Sequence, residues 1–217
     1  MDFNAFSAVL TGEFQGLSPT QLEQFQTLGE LYTEWNRKIN LISRKDIAEL
    51  YGHHLLHSIA IATYLSRSHR GMDGCRVLDL GTGGGLPGIP LAILYPSAQF
   101  ELCDSVGKKV MAAKSIAENI GLKNTSFVNA RAETLGASFD FVVSRAVAPL
   151  NKLLCWTRGK FTVSLIALKG GMGIPEEIAL TARQFHFPQS RVTAWPISNW
   201  IEDKYYEGKF VVEMRAK

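Results

Sequence analysis

Cysteine is scarce in this chain. Cys75, Cys103 and Cys155 are odd in number, widely spaced and form no Cys-x-x-Cys pair. That pattern excludes a disulfide framework and the common cysteine-based zinc sites. Cys75 and Cys103 fall in apolar runs that read as buried strands, where a thiol behaves as a small hydrophobe. An apolar stretch long enough to cross a bilayer is also missing. The opening residues, Met1-Asp2-Phe3-Asn4, lack the positive charge and apolar core of a secretory signal. A reducing cytoplasm is the expected setting, with no membrane partner. Internal repeats and low-complexity tracts are absent, so a repeat architecture is not expected.

Charge of one sign is in short supply too. The net charge is +3, but it is unevenly spread. Residues 1–74 carry 6 Lys and Arg against 8 Asp and Glu, and residues 75–217 carry 17 against 12. A mildly basic second part suits a polyanionic partner. The apolar fraction, 46%, is that of an ordinary globular protein.

Glycine, by contrast, is concentrated in one place. Val77-Leu78-Asp79-Leu80 is followed by Gly81-Thr82-Gly83-Gly84-Gly85-Leu86-Pro87-Gly88. The pattern reads as strand, tight turn, helix. Glycines at such a turn let the backbone approach a ligand where a Cβ would clash. Two ligands fit. An acid two residues before the first glycine, then Gly81, Gly83 and Gly85, is the arrangement of S-adenosylmethionine (SAM) sites. The dinucleotide pattern Gly-x-Gly-x-x-Gly fails when counted from Gly81, because residue 86 is Leu. Counted from Gly83 it runs through Gly85 and Gly88, but two extra residues then separate it from the strand.

The rest of the chain places this loop in a fold. Residues 1–70 read as mostly helical. Leu22, Phe25, Leu28, Leu31, Tyr32 and Trp35 recur at helical spacing behind a Ser18-Pro19 start. A second helix is expected over 46–66, and 68–74 form a joint. From residue 75, strands and helices alternate. Strands are expected at Cys75–Leu80, Ala98–Cys103, Thr125–Ala130, Phe139–Val143 and Val163–Leu168. Helices are expected at Pro87–Leu94, Gly107–Ile120, Pro149–Arg158 and Glu176–Phe187. Two late strands, Arg191–Pro196 and Phe210–Met214, follow without a helix between them. Alternating units imply a parallel sheet. The closing pair favours the class I SAM-dependent methyltransferase variant of the Rossmann-like α/β fold, with an antiparallel final strand. The predicted organisation is a helical extension over 1–70 and that domain over 71–217.

Ligands of such sheets lie over the carboxyl ends of the strands, so strand-end residues are the candidates. Asp104 ends the second strand, where an acid accepts from ribose hydroxyls or simply forms a turn. Arg131-Ala132-Glu133 follows the third, where backbone amides and an acid hold an adenine edge or stand as solvated charges. Arg145 follows a buried run at the end of the fourth. It could grip a carboxylate, a phosphate or a guanine edge, or form an internal ion pair. Lys169 ends the fifth and is a phosphate candidate. His53, His54 and His57 invite a metal reading, but no nearby carboxylate or cysteine completes a set. No metal site is expected, and a surface or interdomain role suits these histidines better.

Taken together these residues are similar to a known family. Trp35-Asn36-x-x-Ile39-Asn40-Leu41, His54-x-x-x-Ser58, Leu80 through Pro90, Asp104-Ser105-x-Gly107-Lys108-Lys109, Arg131-x-Glu133, Ser144-Arg145-Ala146 and Leu168-Lys169-Gly170 resemble RsmG (GidB). That family methylates a guanine of bacterial 16S ribosomal RNA at N7. The resemblance runs from around Phe25 to the C-terminus. It implies cofactor contacts from Gly81, Leu86, Ala132, Glu133 and Arg145, with Asp104 near the ribose and Gly83 and Gly85 completing the loop. It implies the small ribosomal subunit or its RNA as partner, and a monomer is expected. The family has an arginine where His53 stands and an acid where His57 stands. Arg145 is then the candidate catalytic residue, orienting methionine or guanine. Lys108, Lys109 and Lys169 would meet phosphates. Asn36 and Asn40 would line the cleft or cap their helix. Guanine N7 carries a lone pair and no proton, so no general base is required.

Overall fold

The computed structural model describes residues 1–136, 138–171 and 173–216. Its first long helix starts where the sequence places a cap. Ser18 accepts from Gln21 N, and the Gln21 side chain accepts from Ser18 N, which closes a capping box on α2 (Pro19–Lys38). The apolar stripe of α2 buries Phe25, Leu28 and Tyr32. A shorter helix, α1 (Phe3–Glu13), precedes it, capped by Asp2.

The single helix expected over 46–66 is instead three pieces. Ile47–Glu49 form a 3-10 turn, Leu50–Leu55 a π-helix, and only α3 (Leu56–Arg67) is α-helical. At the π end, Leu56 N bonds to Tyr51 O, five residues back. Such turns are rare and concentrate at functional sites. Apolar spacing cannot reveal them, because one extra residue per turn barely disturbs a short pattern.

The sheet follows. Its strands are β1 (Arg76–Leu80), β2 (Gln99–Asp104), β3 (Thr125–Asn129), β4 (Phe139–Arg145), β5 (Phe161–Gly170), β6 (Val192–Pro196) and β7 (Lys209–Arg215). The order is β3-β2-β1-β4-β5-β7-β6. The first five strands are parallel, and β7 runs antiparallel between β5 and β6. Helices α4 (Gly88–Leu94), α5 (Gly107–Asn119), α6 (Leu150–Thr157) and α7 (Ile174–Phe185) connect them. Strand β5 is longer than the expected Val163–Leu168. It pairs with β4 from Phe161 and with β7 as far as Gly170, so its backbone is satisfied over ten residues.

The N-terminal helices share one hydrophobic core with the sheet, running from Phe6, Phe25 and Tyr32 through Ile89 and Phe100 to Val211. Polar ties fix the same packing. Tyr32 Oη donates to Gly84 O at 2.9 Å, Gln21 to Ile93 O at 2.7 Å and Gln24 to Ile120 O at 2.9 Å. Buried Glu213 on β7 accepts from Tyr64 and from two nitrogens of Arg70, at 2.7 to 2.9 Å. The extension thereby packs over α4 and α5 and against β5 and β7, and Tyr32 reaches the glycine loop.

Tyr32→Phe removes a buried donor from the glycine loop. The variant should lose about 1–2 kcal/mol of stability, read as a lower urea midpoint at unchanged slope. A midpoint equal to the parent protein's would mean that this bond does not hold the loop.

Candidate active site

Asp79 stands inside β1, fully buried. Its Oδ2 accepts from Thr82 Oγ1 at 2.6 Å and from Gly88 N at 2.8 Å. Gly81 N and Thr82 N donate to Cys103 O at the end of β2, at 2.8 and 3.0 Å. The loop is thus fastened to both strands beneath it. Gly81 has φ 70°, and a Cβ there would overlap Val147. Only glycine is compatible with both conditions. Gly83 and Leu86 line the cleft with Gly81, but Gly85 does not. Gly85 is required by packing against Ile89, and Gly88 because a Cβ would lie 2.6 Å from Asp79 Oδ2. Of the alternative frame Gly83, Gly85 and Gly88, only Gly83 therefore faces the cleft.

The open cleft above this loop has a volume of ≈ 1480 Å³. Asp104 lines it and already serves the fold. Its Oδ2 accepts from Gly83 N at 2.9 Å and its Oδ1 from Val106 N at 2.8 Å. The turn-forming role and a place in the cleft therefore coexist, since each oxygen keeps a further lone pair. Ala132 and Glu133 line the same cleft from a 3-10 turn, Ala132–Thr134. Lys160 Nζ holds that turn by donating to Ala132 O at 2.6 Å.

Arg145 reaches the cleft from the end of β4. Its Nη1 lies 3.0 Å from His54 Nδ1. No carboxylate among the described residues pairs with it, so the internal ion pair is not formed. The next residue, Ala146, holds φ 53°, a conformation that costs a non-glycine residue about 1–3 kcal/mol. Strain of that kind persists where the surroundings dictate it, here directly after the candidate catalytic side chain.

The other candidates divide. Lys169 lines the cleft, but its Nζ is 2.9 Å from Glu177 Oε1 and donates to Ala148 O. Its charge is largely answered within the protein. Lys109 faces the cleft, whereas Lys108 is exposed outside it. Asn36 is 5% exposed, and its Oδ1 accepts from Leu41 N and Ile42 N at 2.9 Å each. It shapes the exit of α2 and lies outside the cleft, as does exposed Asn40. Buried Asn36 spends its acceptor on two backbone amides just beyond the end of α2.

Three lining residues come from the extension: Leu41, His54 and His57. Asp46 stands behind them. It accepts from His53 Nδ1 at 2.8 Å and from His54 Nε2 at 2.7 Å. Asp46 and Glu49 precede the histidines closely in the sequence, and the turn before the π-helix brings Asp46 onto two of them. Among the described residues no group of His, Cys, Asp and Glu has a metal-binding arrangement. Burial and then the Arg145 charge push His54 down to about 4, against the pull of Asp46. Burial and Arg145 likewise hold His57 well below the usual histidine value. Burial raises Asp79 to about 7, opposed by its two donors. Its Oδ1 has no hydrogen-bond partner among the described residues.

A parallel sheet with an antiparallel β7 and a glycine-loop cleft at its rim defines the class I methyltransferase fold. A magnesium protoporphyrin IX methyltransferase from Synechocystis, solved with bound SAM, shares it at TM-score 0.64 and 15% identity, over 94% of this chain and 100% of that one. A ribosomal protein L11 methylase from Lactobacillus delbrueckii matches at TM-score 0.56 and 15% identity, over 73% of this chain and 78% of that one.

Within that class the sequence is more particular. Residues 21–199 match the GidB family, described as rRNA small subunit methyltransferase G. A protein of that name from Parabacteroides distasonis is 43% identical over 217 residues, covering 96% of this chain and 89% of its own. One from Bacteroides fragilis is 52% identical over 166 residues, covering 73% and 79%. The chain belongs to the rRNA small subunit methyltransferase G family.

The raised pKa of Asp79 has a definite sign. A carboxyl lifted from about 4 when unfolded to about 7 when folded favours the folded state most at acid pH, and that advantage is lost as pH rises through 7. Relative to Asp79→Asn, the parent protein should lose stability on the order of 1 kcal/mol per pH unit between pH 5 and 7. Urea denaturation of both proteins at three pH values tests this, and parallel curves would show that Asp79 is not protonated in the fold.

Proposed function

We propose that this protein transfers a methyl group from SAM to N7 of a guanine in 16S ribosomal RNA. The observation that carries the reading is the meeting, in one cleft, of the glycine loop, Asp104 and a guanidinium that pairs with no carboxylate among the described residues. SAM fits these residues chemically. The backbone at Gly81 and Gly83 admits close approach, Asp104 keeps acceptor capacity for ribose hydroxyls, and Arg145 offers donors to a carboxylate. The turn at Ala132 and Glu133 would border the adenine. Bound there, SAM supplies an electrophilic methyl group on a sulfonium sulfur.

The cleft, at ≈ 1480 Å³, exceeds the ~300–1,000 Å³ usual for one small ligand. The surplus supports a second occupant, which we take to be the guanine. N7 has no proton to lose, so the protein need only align it and keep water out. Both ring nitrogens of His54 are engaged, which suits a reaction without a general base. Lys109 and Arg131 at the cleft would hold phosphates, positioning the RNA without reading its sequence. A base that reaches such a cleft must leave its stack or come from a loop. The same reading sets the protein to work in the cytoplasm, on the small subunit or its RNA.

Labelled SAM should deliver its methyl to small-subunit RNA from cells lacking this protein, with the label recovered as 7-methylguanosine. Label elsewhere, or NAD bound in preference to SAM, would overturn the assignment. Arg145→Ala should reduce transfer by at least 100-fold, on the order found for preorganised donors, while circular dichroism stays unchanged. Asp104→Ala should weaken SAM binding about tenfold by calorimetry, at ~1.4 kcal/mol per tenfold. An unchanged dissociation constant would remove Asp104 from the ribose.

A further inference from the structure

A guanidinium has only donors. Where Arg145 Nη1 approaches His54 Nδ1 at 3.0 Å, that ring nitrogen must therefore present its lone pair. An imidazole accepting at Nδ1 carries its proton on Nε2. His54 Nε2 lies 2.7 Å from Asp46 Oδ2, which accepts that proton's bond. We propose that Asp46 and His54 are positioning residues: the carboxylate selects the tautomer of His54, and His54 then sets the direction of the Arg145 guanidinium in the cleft. The proposal deepens the methyl-transfer reading, because the ligand that Arg145 meets is taken from it.

The device is held from both sides. Asp46 Oδ1 accepts from His53 Nδ1 at 2.8 Å. The His53 ring lies flat on Tyr205, with centroids 3.6 Å apart and planes 2° apart. Tyr205 Oη in turn donates to the His53 carbonyl at 3.0 Å. Asp46 thus has one imidazole on each oxygen, and neither it nor the rings can turn alone. Burial, which depresses the proton affinity of His54, agrees with the neutral ring that this geometry demands. A protonated or wrongly tautomerised His54 would point N–H at N–H and release the guanidinium. The π-helix carries both histidines beside Asp46, which gives that irregular turn a purpose. Restricting a long side chain to one direction lowers the ordering cost of the step it serves.

The ring nitrogens of His54 read the device directly. Nitrogen-15 NMR of the ligand-free protein at neutral pH should show His54 protonated at Nε2, and protonation at Nδ1 would overturn the proposal. His54→Ala should lower methyl transfer about tenfold, the size of loss expected for an orienting partner, with circular dichroism unchanged. His54→Gln should recover most of it, since its amide can accept from Arg145 and donate to Asp46. The double variant His54→Ala with Arg145→Ala should be no worse than Arg145→Ala alone. Full activity in His54→Ala, no recovery in a folded His54→Gln, or additive losses in the double variant would each defeat the inference. A parent protein that neither binds SAM nor methylates RNA would refute the proposed function instead, and the ring nitrogens would still decide the positioning.

Discussion

Asp79 is a fully buried carboxyl group, held by one hydroxyl and one backbone amide. The hydroxyl belongs to the glycine loop and the amide to the first residue of α4. One side chain therefore joins a strand, the turn that leaves it and the helix that follows. Gly88 can sit there only because it lacks a Cβ, and position 81 must be glycine because Val147 occupies the space a Cβ would need. The loop is then tied to β2 through Cys103 O and Asp104. An isolated buried carboxylate is costly, and keeping the group neutral is the inexpensive alternative. The direction of the Asp79 shift matches that expectation.

The second constraint is that the sheet supplies only part of the cleft. Strand ends give the loop, Asp104 and Arg145. Leu41, His54 and His57 arrive from the chain that precedes the sheet. That segment is kept in place by the shared core and by Tyr32, and its π-helix is gripped from the far end of the chain. Tyr205 and Tyr206 hydroxyls donate to the carbonyls of His53 and Gly52. Residues near both ends of the sequence thus meet over the site. The position of Arg145 depends on contacts 91 residues away in the chain.

Electrostatics follow the same division. The modest excess of positive charge in residues 75–217 does not spread evenly over the cleft. Lys169 is matched by Glu177, whose carboxylate also accepts from Leu150 N at the start of α6. Lys109 and Arg131 face the opening, and Arg145 lies deeper among neutral histidines. Composition could only indicate a taste for polyanions. The arrangement separates Lys109 and Arg131 at the mouth from Arg145 deeper in the cleft.

Most of the architecture was readable in the sequence because it rests on local signals. Alternating apolar runs and turns mark the strands, the Ser18-Pro19 start marks α2, and the glycine string marks the ligand-facing turn. Candidates at strand ends, such as Asp104, Ala132, Glu133 and Arg145, follow from the rule that parallel strands present their carboxyl ends together. What needed the tertiary structure was anything set by contacts distant in sequence or by a break in periodicity. Asn36 and Asn40, one helical turn apart, are cleft candidates in the sequence, but folding turns Asn36 onto the amides of Leu41 and Ile42. The π-helix at Leu50–Leu55 is hidden within a helical pattern. Asp46 carries no mark of its own until the preceding turn sets it against His53 and His54. Local preferences determine which residues form a strand or a turn; which of them share a hydrogen bond is decided only when the whole chain has closed around its core.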